Sequence, residues 1–227
     1  MRAYLSEALG TFVLVFVGTG AVIANGYSDG AVTLLGISVA FGLVVLAMVY
    51  ALGDISGAHI NPAVTLGLWL AGRVSPAIVL PYIVSQCLGA IAASLLLRII
   101  FGMDYGLGAT APSQSAFQAF AMEGVTTFIL MLVILCVTVG AKEKGITAGL
   151  VIGAVVTFDI IIAGPISGAS MNPARSLGPA LAAFNLGSLW LYILAPCLGA
   201  SAAALVGRAL HPAAEDAAEE GAEEEYA

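Results

Sequence analysis

Ser56-Gly57-Ala58-His59-Ile60-Asn61-Pro62-Ala63-Val64-Thr65-Leu66-Gly67 recurs as Ser167-Gly168-Ala169-Ser170-Met171-Asn172-Pro173-Ala174-Arg175-Ser176-Leu177-Gly178. The stretches agree at eight of twelve positions and lie 111 residues apart, one in each half of the chain. Asn is a favoured helix cap, and Pro suits the first helical position because its missing N–H has no partner there anyway. Asn61-Pro62 and Asn172-Pro173 are therefore each expected to open a helix. Roughly ten helical residues follow each start, which at 1.5 Å per residue reaches across only half a bilayer core. The preceding stretches 53–57 and 164–168, with their glycines and Pro165, are expected to be irregular rather than regular spanning helix. Irregular backbone at that depth is tolerated only inside protein or beside a water-filled cavity.

The surrounding chain has the composition of a lipid-embedded protein. Of its 227 residues 60% are hydrophobic and only 9% charged, and mean hydropathy is +1.04. A soluble domain of this size could not hide so much apolar surface. The 27 glycines suit close packing of membrane helices. Gly10, Gly42, Gly89, Gly153 and Gly199 fall inside long apolar segments and are expected to be packing points rather than hinges. Cys87, Cys136 and Cys197 lack metal or redox spacing and are expected to be inert, buried thiols. The net charge of -7 is concentrated in the tail, where Glu215, Asp216, Glu219, Glu220, Glu223, Glu224 and Glu225 leave the remainder formally neutral. Residues 210–227 are accordingly expected to form a disordered, solvated, cytoplasmic end.

Six long apolar segments occupy about residues 4–24, 31–53, 76–101, 117–139, 146–163 and 187–209, the fifth of them short. Each must satisfy its backbone internally, which favours helices. Glu7-x-x-x-Thr11-Phe12 in the first segment returns as Glu123-x-x-x-Thr127-Phe128 in the fourth. The repeat thus pairs halves of about 1–103 and 116–209 across a linker at 104–115, all within one membrane domain, 1–209. An odd number of crossings per half makes the repeat inverted and places its functional site near the pseudo-two-fold axis. With both termini inside, Arg2, Arg73, Lys142, Lys144 and Arg208 lie at cytoplasmic ends, while Arg98 and Arg175 lie outside. The first segment is preceded only by Arg2 and followed by no cleavage signature, so it is expected to be retained. The fold expected is all-α, with six transmembrane helices and two re-entrant half-helices.

Inversion brings two helix N-termini together from opposite faces, with their positive dipole ends and two Asn side chains at the centre. Such a centre binds a small neutral polar molecule and opposes a cation. Carbonyls preceding each motif are expected to add acceptors along each half.

With these motifs, the chain resembles the aquaporin and glycerol-channel family over residues 4–209, and its archaeal branch most. The resemblance rests on the paired Asn-Pro-Ala loops, the two Glu-x-x-x-Thr-Phe signatures and Arg175. It implies a multi-pass channel of the plasma membrane, one pore per subunit, usually as a homotetramer in the lipid bilayer. It implies passive passage of water, with glycerol or another small neutral solute as a further permeant. Asn61 and Asn172 would then be the central pore donors. Phe41, Ile160, Ala169 and Arg175 would form the selectivity filter, and His59 would line the cytoplasmic half. Glu7 and Glu123 would hold the re-entrant backbones. Ile160 stands where strictly water-selective relatives place His, which makes the expected filter more apolar and wider. Ser176 and Tyr192 point instead toward water channels, and Ile193 fits neither group.

Asp159, beside Ile160, is expected either to bond a neighbouring helix or loop or to reach the outer interface, with a bundle-facing role favoured over pore lining. Alternative readings are a gradient-coupled small-solute transporter, since inverted repeats are common there, and a non-conducting structural membrane protein. An enzyme is not expected, because no nucleophile–base pair stands at interpretable spacing. No cofactor is implied. Two histidines, His59 and His211, make no metal cluster, and no basic patch invites nucleic acid.

Overall fold

The computed structural model describes residues 1–138 and 142–210, with 142–146 described by backbone alone. The expected acidic tail, Leu210 apart, and the Lys142 and Lys144 side chains lie outside that description. Eight α-helices follow in order: α1 (Arg2–Tyr27), α2 (Thr33–Ser56), α3 (Pro62–Leu70), α4 (Pro76–Phe101), α5 (Ala116–Val137), α6 (Lys142–Ser167), α7 (Pro173–Ala182) and α8 (Leu189–Leu210). Six of these are long and apolar enough to cross a membrane. The other two, α3 and α7, have 9 and 10 residues, about half a bilayer core at 1.5 Å per residue. Among the described residues this is an all-α, six-span bundle with two re-entrant half-helices.

Polarity is distributed as lipid demands. Leu80 and Leu205 are 69% and 70% exposed on the outside, whereas Glu7, Gln86, Glu123 and Asp159 are completely buried. In a bilayer an outward Leu meets a solvent like itself, and polar groups must find partners within the bundle. The cysteines are unpaired and half-buried, less enclosed than expected.

Helix starts follow from local chemistry. Asn61 and Asn172 cap α3 and α7, each with Pro at the first turn. Ser75 caps α4, and Ser115 with Gln118 forms a capping box on α5. Two expectations about helix ends are overturned. Stretches 53–56 and 164–167 are helical, and the fifth span is not short, since α6 runs to Ser167. Helix persists because its last carbonyls find partners elsewhere in the bundle. The Tyr82 hydroxyl donates to Ser56 O at 2.9 Å, and the Tyr192 hydroxyl donates to Ser167 O. Around Pro165, Ser113 donates its hydroxyl to Pro165 O and its N–H to Ile166 O. These are carbonyls of the last helical turn, which have no partner within the helix. Both helices then stop at a left-handed glycine, Gly57 (φ 83°) and Gly168 (φ 79°).

Helices cross closely where glycines meet backbone. A Cβ on Gly42 of α2 would stand 2.6 Å from Gly153 O of α6, and a Cβ on Gly153 would stand 2.6 Å from Gly42 O. The same exclusion recurs between Gly89 and Ala8 O, where α1 meets α4, and between Gly199 and Gly124 O, where α5 meets α8. These crossings bring both half-helices into one interior.

Candidate functional site

Four residues connect each long helix to its half-helix, Gly57–Ile60 before Asn61 and Gly168–Met171 before Asn172. Ala58, Ile60, Ala169 and Met171 have φ of 46°, 43°, 48° and 54°, a left-handed conformation that costs an L-residue about 1–2 kcal/mol. Two buried carboxylates hold that backbone in place. Glu7 accepts from His59 N at 2.9 Å, Ile60 N at 2.7 Å, Ser56 Oγ at 2.7 Å and Gln86 Nε2 at 2.7 Å. Glu123 accepts from Ser170 N at 2.8 Å, Met171 N at 2.7 Å and Ser167 Oγ at 2.7 Å. Within the same signature, Thr11 and Thr127 return their hydroxyls to the carbonyls of Glu7 and Glu123, one turn back.

The loops meet at the two asparagines. Asn61 Oδ1 accepts from Ala63 N at 2.9 Å, and Asn172 Oδ1 accepts from Ala174 N at 3.0 Å and Arg175 N at 3.2 Å. Asn61 Nδ2 donates to Met171 O at 2.8 Å, while Asn172 Nδ2 donates to Ile60 O at 2.9 Å. These partners fix both amide orientations. An amide nitrogen carries two hydrogens, so each Asn keeps one for the space beside it.

That space is a cavity of about 380 Å³, bordered by both asparagines and by Phe41, His59, Ile160 and Arg175. Leu14, Val45, Leu130, Ile134, Ile152 and Val156 supply apolar wall. Carbonyl-bearing loop residues Gly57–Ile60 and Ser170–Met171 border it as well. Ala169 is buried one residue before the lining Ser170 and does not itself border this cavity. Asp159 also lies off it, completely buried, with neither carboxylate oxygen hydrogen-bonded among the described residues.

Arg175 is 2% exposed, and its Nη1 donates to Gly108 O at 2.9 Å. Its guanidinium carbon lies 5.3 Å from the Phe41 ring centroid, within range of a cation–π attraction. Nε has no partner among the described residues. Gly108 ends a short turn (Asp104–Gly108) whose residues Tyr105, Gly106 and Leu107 are all left-handed. A Cβ at Gly108 would meet Thr19 O at 2.8 Å, so glycine lets the carbonyl approach α1 and reach Arg175.

The two halves differ around this shared plan. In the first, the His59 ring contacts Thr65 through Nδ1 at 3.1 Å, and Gln86 reaches Thr65 Oγ1 at 2.9 Å. In the second, Ser170 meets Ser176 at 2.6 Å, and Ser176 meets Thr110 at 2.7 Å. Gln86, Tyr82, Thr110 and Gly108 escape a reading of the motifs alone. The Tyr82/Tyr192 pair, 110 residues apart, is the one signal that could have exposed part of this set.

The family model described as Major intrinsic protein matches residues 1–207. Aquaporin NIP1-2 of Arabidopsis thaliana is similar, at 44% identity over 214 residues, 91% of this chain and 73% of that protein. Aquaporin NIP1-2 of Oryza sativa subsp. japonica is 46% identical over 202 residues, 86% of this chain and 67% of its own. Among solved structures, that of the aquaglyceroporin from Plasmodium falciparum superposes with a TM-score of 0.83 at 27% identity, covering 93% of this chain and 97% of that one. These likenesses overturn the expected archaeal branch in favour of plant NIP-type aquaporins and a eukaryotic aquaglyceroporin. The branch expectation leaned on a few positions such as Phe41, Ile160, Ala169 and Arg175, which answer to solute size and polarity. Identity over 214 residues samples 91% of the chain.

Proposed function

The chain belongs to the major intrinsic protein family, and from that premise we propose how its residues conduct. The protein is a multi-pass, non-enzymatic, passive channel of the water and glycerol type. The observation that carries the proposed mechanism is the hydrogen-bond state of Asn61 and Asn172. Both Oδ1 atoms are engaged by helix caps and one Nδ2 hydrogen of each by the opposite loop. Two donors and no side-chain acceptor therefore remain at the waist. A water oxygen passing there accepts from both, and its own hydrogens turn outward along the file. A proton relay needs that oxygen's lone pairs to receive a hydrogen, so the relay is broken at this point.

The N-termini of α3 and α7 add their positive dipole ends to the same place, where a cation has shed water and gains nothing in return. Arg175 is a second barrier to cations and a donor to solute. Opposite it, Phe41 and Ile160 offer apolar wall, which accommodates a carbon backbone while Arg175 binds hydroxyls. Ala169, buried beside the lining Ser170, adds no bulk to that constriction. Glycerol fits this division as a permeant beside water, and His59 lines the cavity on the other side of the waist. Glu7 and Glu123 act as loop supports; their oxygens are committed to loop hydrogen bonds rather than to a coupling ion.

Arg2, Arg73 and Arg208 support an orientation with both termini on the cytoplasmic side of the plasma membrane, by the positive-inside rule. Membership of the family supports a homotetramer with one pore per subunit. Light scattering of proteoliposomes under osmotic shock tests the reading, with water and glycerol gradients applied separately. Accelerated shrinkage with water and measurable re-swelling with glycerol are expected. Water flux equal to that of empty liposomes, with correctly folded protein present, overturns it.

A further inference from the structure

We infer that Thr65 sets the tautomer of His59, holding the ring proton on Nδ1 so that a bare Nε2 is offered to the cavity as an acceptor. The inference deepens the channel reading above and rests on it for its functional meaning. Three contacts converge on Thr65 Oγ1, from Gln86 Nε2 at 2.9 Å, His59 Nδ1 at 3.1 Å and Asn61 O at 3.1 Å. Three hydrogen bonds require three hydrogens. Asn61 O has none to give, and the hydroxyl has one.

Gln86 supplies the second hydrogen, and its orientation leaves no choice. The same Nε2 donates to Glu7 Oε2 at 2.7 Å, so reversing the amide would press its oxygen against a carboxylate. The price of this orientation is visible at Gln86 Oε1, buried and without a partner among the described residues. The third hydrogen must come from His59. With Nδ1–H donating to Thr65, the hydroxyl is free to donate to Asn61 O, and all three contacts are bonds. With the proton on Nε2 instead, the hydroxyl must turn to Nδ1 and the Asn61 contact is lost. A doubly protonated ring would place a cation two residues before the positive end of α3, which disfavours it.

Nε2 lies on the Gly57 side of the ring, 3.1 Å from where a Cβ on that glycine would stand, and both residues border the cavity. Tyr82 packs edge-on to the ring at 5.0 Å between centroids and keeps its plane in place. The consequence is a fixed acceptor in the wall on the His59 side, where the waist offers only donors. In the other half Ser170 and Ser176 occupy the corresponding places, and Ser170 Oγ donates to Asn172 O at 2.8 Å, so Ser176 supplies the hydrogen of their contact. The first half therefore presents a ring nitrogen where the second has hydroxyls.

Thr65 acts through His59 and is a positioning residue, so the test reads the ring itself. The chain has two histidines, and in the full chain carrying His211→Ala a histidine label reports His59 alone. Solid-state NMR of 13C,15N-histidine protein in lipid bilayers correlates the protonated ring nitrogen with its carbon neighbour, Cγ for Nδ1 and Cδ2 for Nε2. We expect the Cγ correlation. Thr65→Val should move the proton to Nε2, and Thr65→Ser, which restores the hydroxyl, should return it to Nδ1. A proton on Nε2, or on both nitrogens, in the Thr65 protein overturns the inference. So does retention of Nδ1–H in Thr65→Val. Because this readout needs no flux, a channel that failed to conduct would overturn the function while leaving the tautomer assignment standing.

Discussion

Arg175 is held by the carbonyl of Gly108, and no carboxylate is hydrogen-bonded to it among the described residues. A carbonyl orients the guanidinium without neutralising it, so a positive charge remains at the cavity wall. Gly108→Ala tests that arrangement. The position has φ 64° and a Cβ would collide with Thr19, so strain of about 1–2 kcal/mol from the backbone alone is expected. Lower thermal stability in detergent and a measurable cation conductance in planar bilayers are the expected results. Wild-type stability together with wild-type ion exclusion would show that Gly108 does not position Arg175.

Ile160→His puts a polar, ring-bearing side chain into the cavity that Arg175 also lines. Glycerol passage should fall relative to water, because the apolar wall for its carbon backbone is lost and the space narrows. A differential of about 1 kcal/mol would lower the glycerol-to-water permeability ratio roughly fivefold. Paired stopped-flow measurements give the ratio directly, and an unchanged value removes Ile160 from the constriction.

Glu7→Gln and Glu123→Gln should both destabilise, and Glu7→Gln more. A carboxylate accepts on both oxygens, whereas a glutamine amide turns a donor toward backbone N–H groups. Bonds to charged acceptors contribute about 1.5–3 kcal/mol each. Glu7 accepts four described bonds and Glu123 three. Thermal unfolding of the two variants in the same detergent ranks them, and the reverse order would contradict the count.

Asp159→Leu should stabilise. Leucine matches the branched outline of aspartate, and the native carboxyl is completely buried with both oxygens lacking hydrogen bonds among the described residues. Removing an unsatisfied buried polar group recovers about 1–3 kcal/mol. A higher unfolding temperature with unchanged water flux is expected. Loss of flux at retained stability would instead give Asp159 a part in conduction.

Much of the fold was legible because its signals are local. Apolar length predicts a span, Asn-Pro predicts a helix start, and a motif stated twice predicts an inverted pair. The ends of α2 and α6 were misread for the complementary reason. Gly and Pro at 53–57 and 164–168 argue against helix locally, and the partners that overrule them, Tyr82, Tyr192 and Ser113, come from distant segments. Gln86 gave no local sign at all. It matters only because folding sets it between Glu7 and Thr65. Ala169 shows a different limit, since its motif position is plain and yet the residues of its loop that border the cavity are its neighbours Ser170 and Met171.

The crossed bonds of Asn61 and Asn172 bear on biogenesis. Each half of the chain keeps a carbonyl, Ile60 O or Met171 O, whose partner is encoded in the other half. A nascent chain that has inserted only α1–α4 holds an open Ile60 carbonyl and an Asn61 Nδ2 without its Met171 acceptor. Neither can be satisfied until the second motif enters from the opposite leaflet, Asn172 lying 112 residues after Ile60. The conducting waist thus cannot be finished until both halves have been threaded in opposite directions.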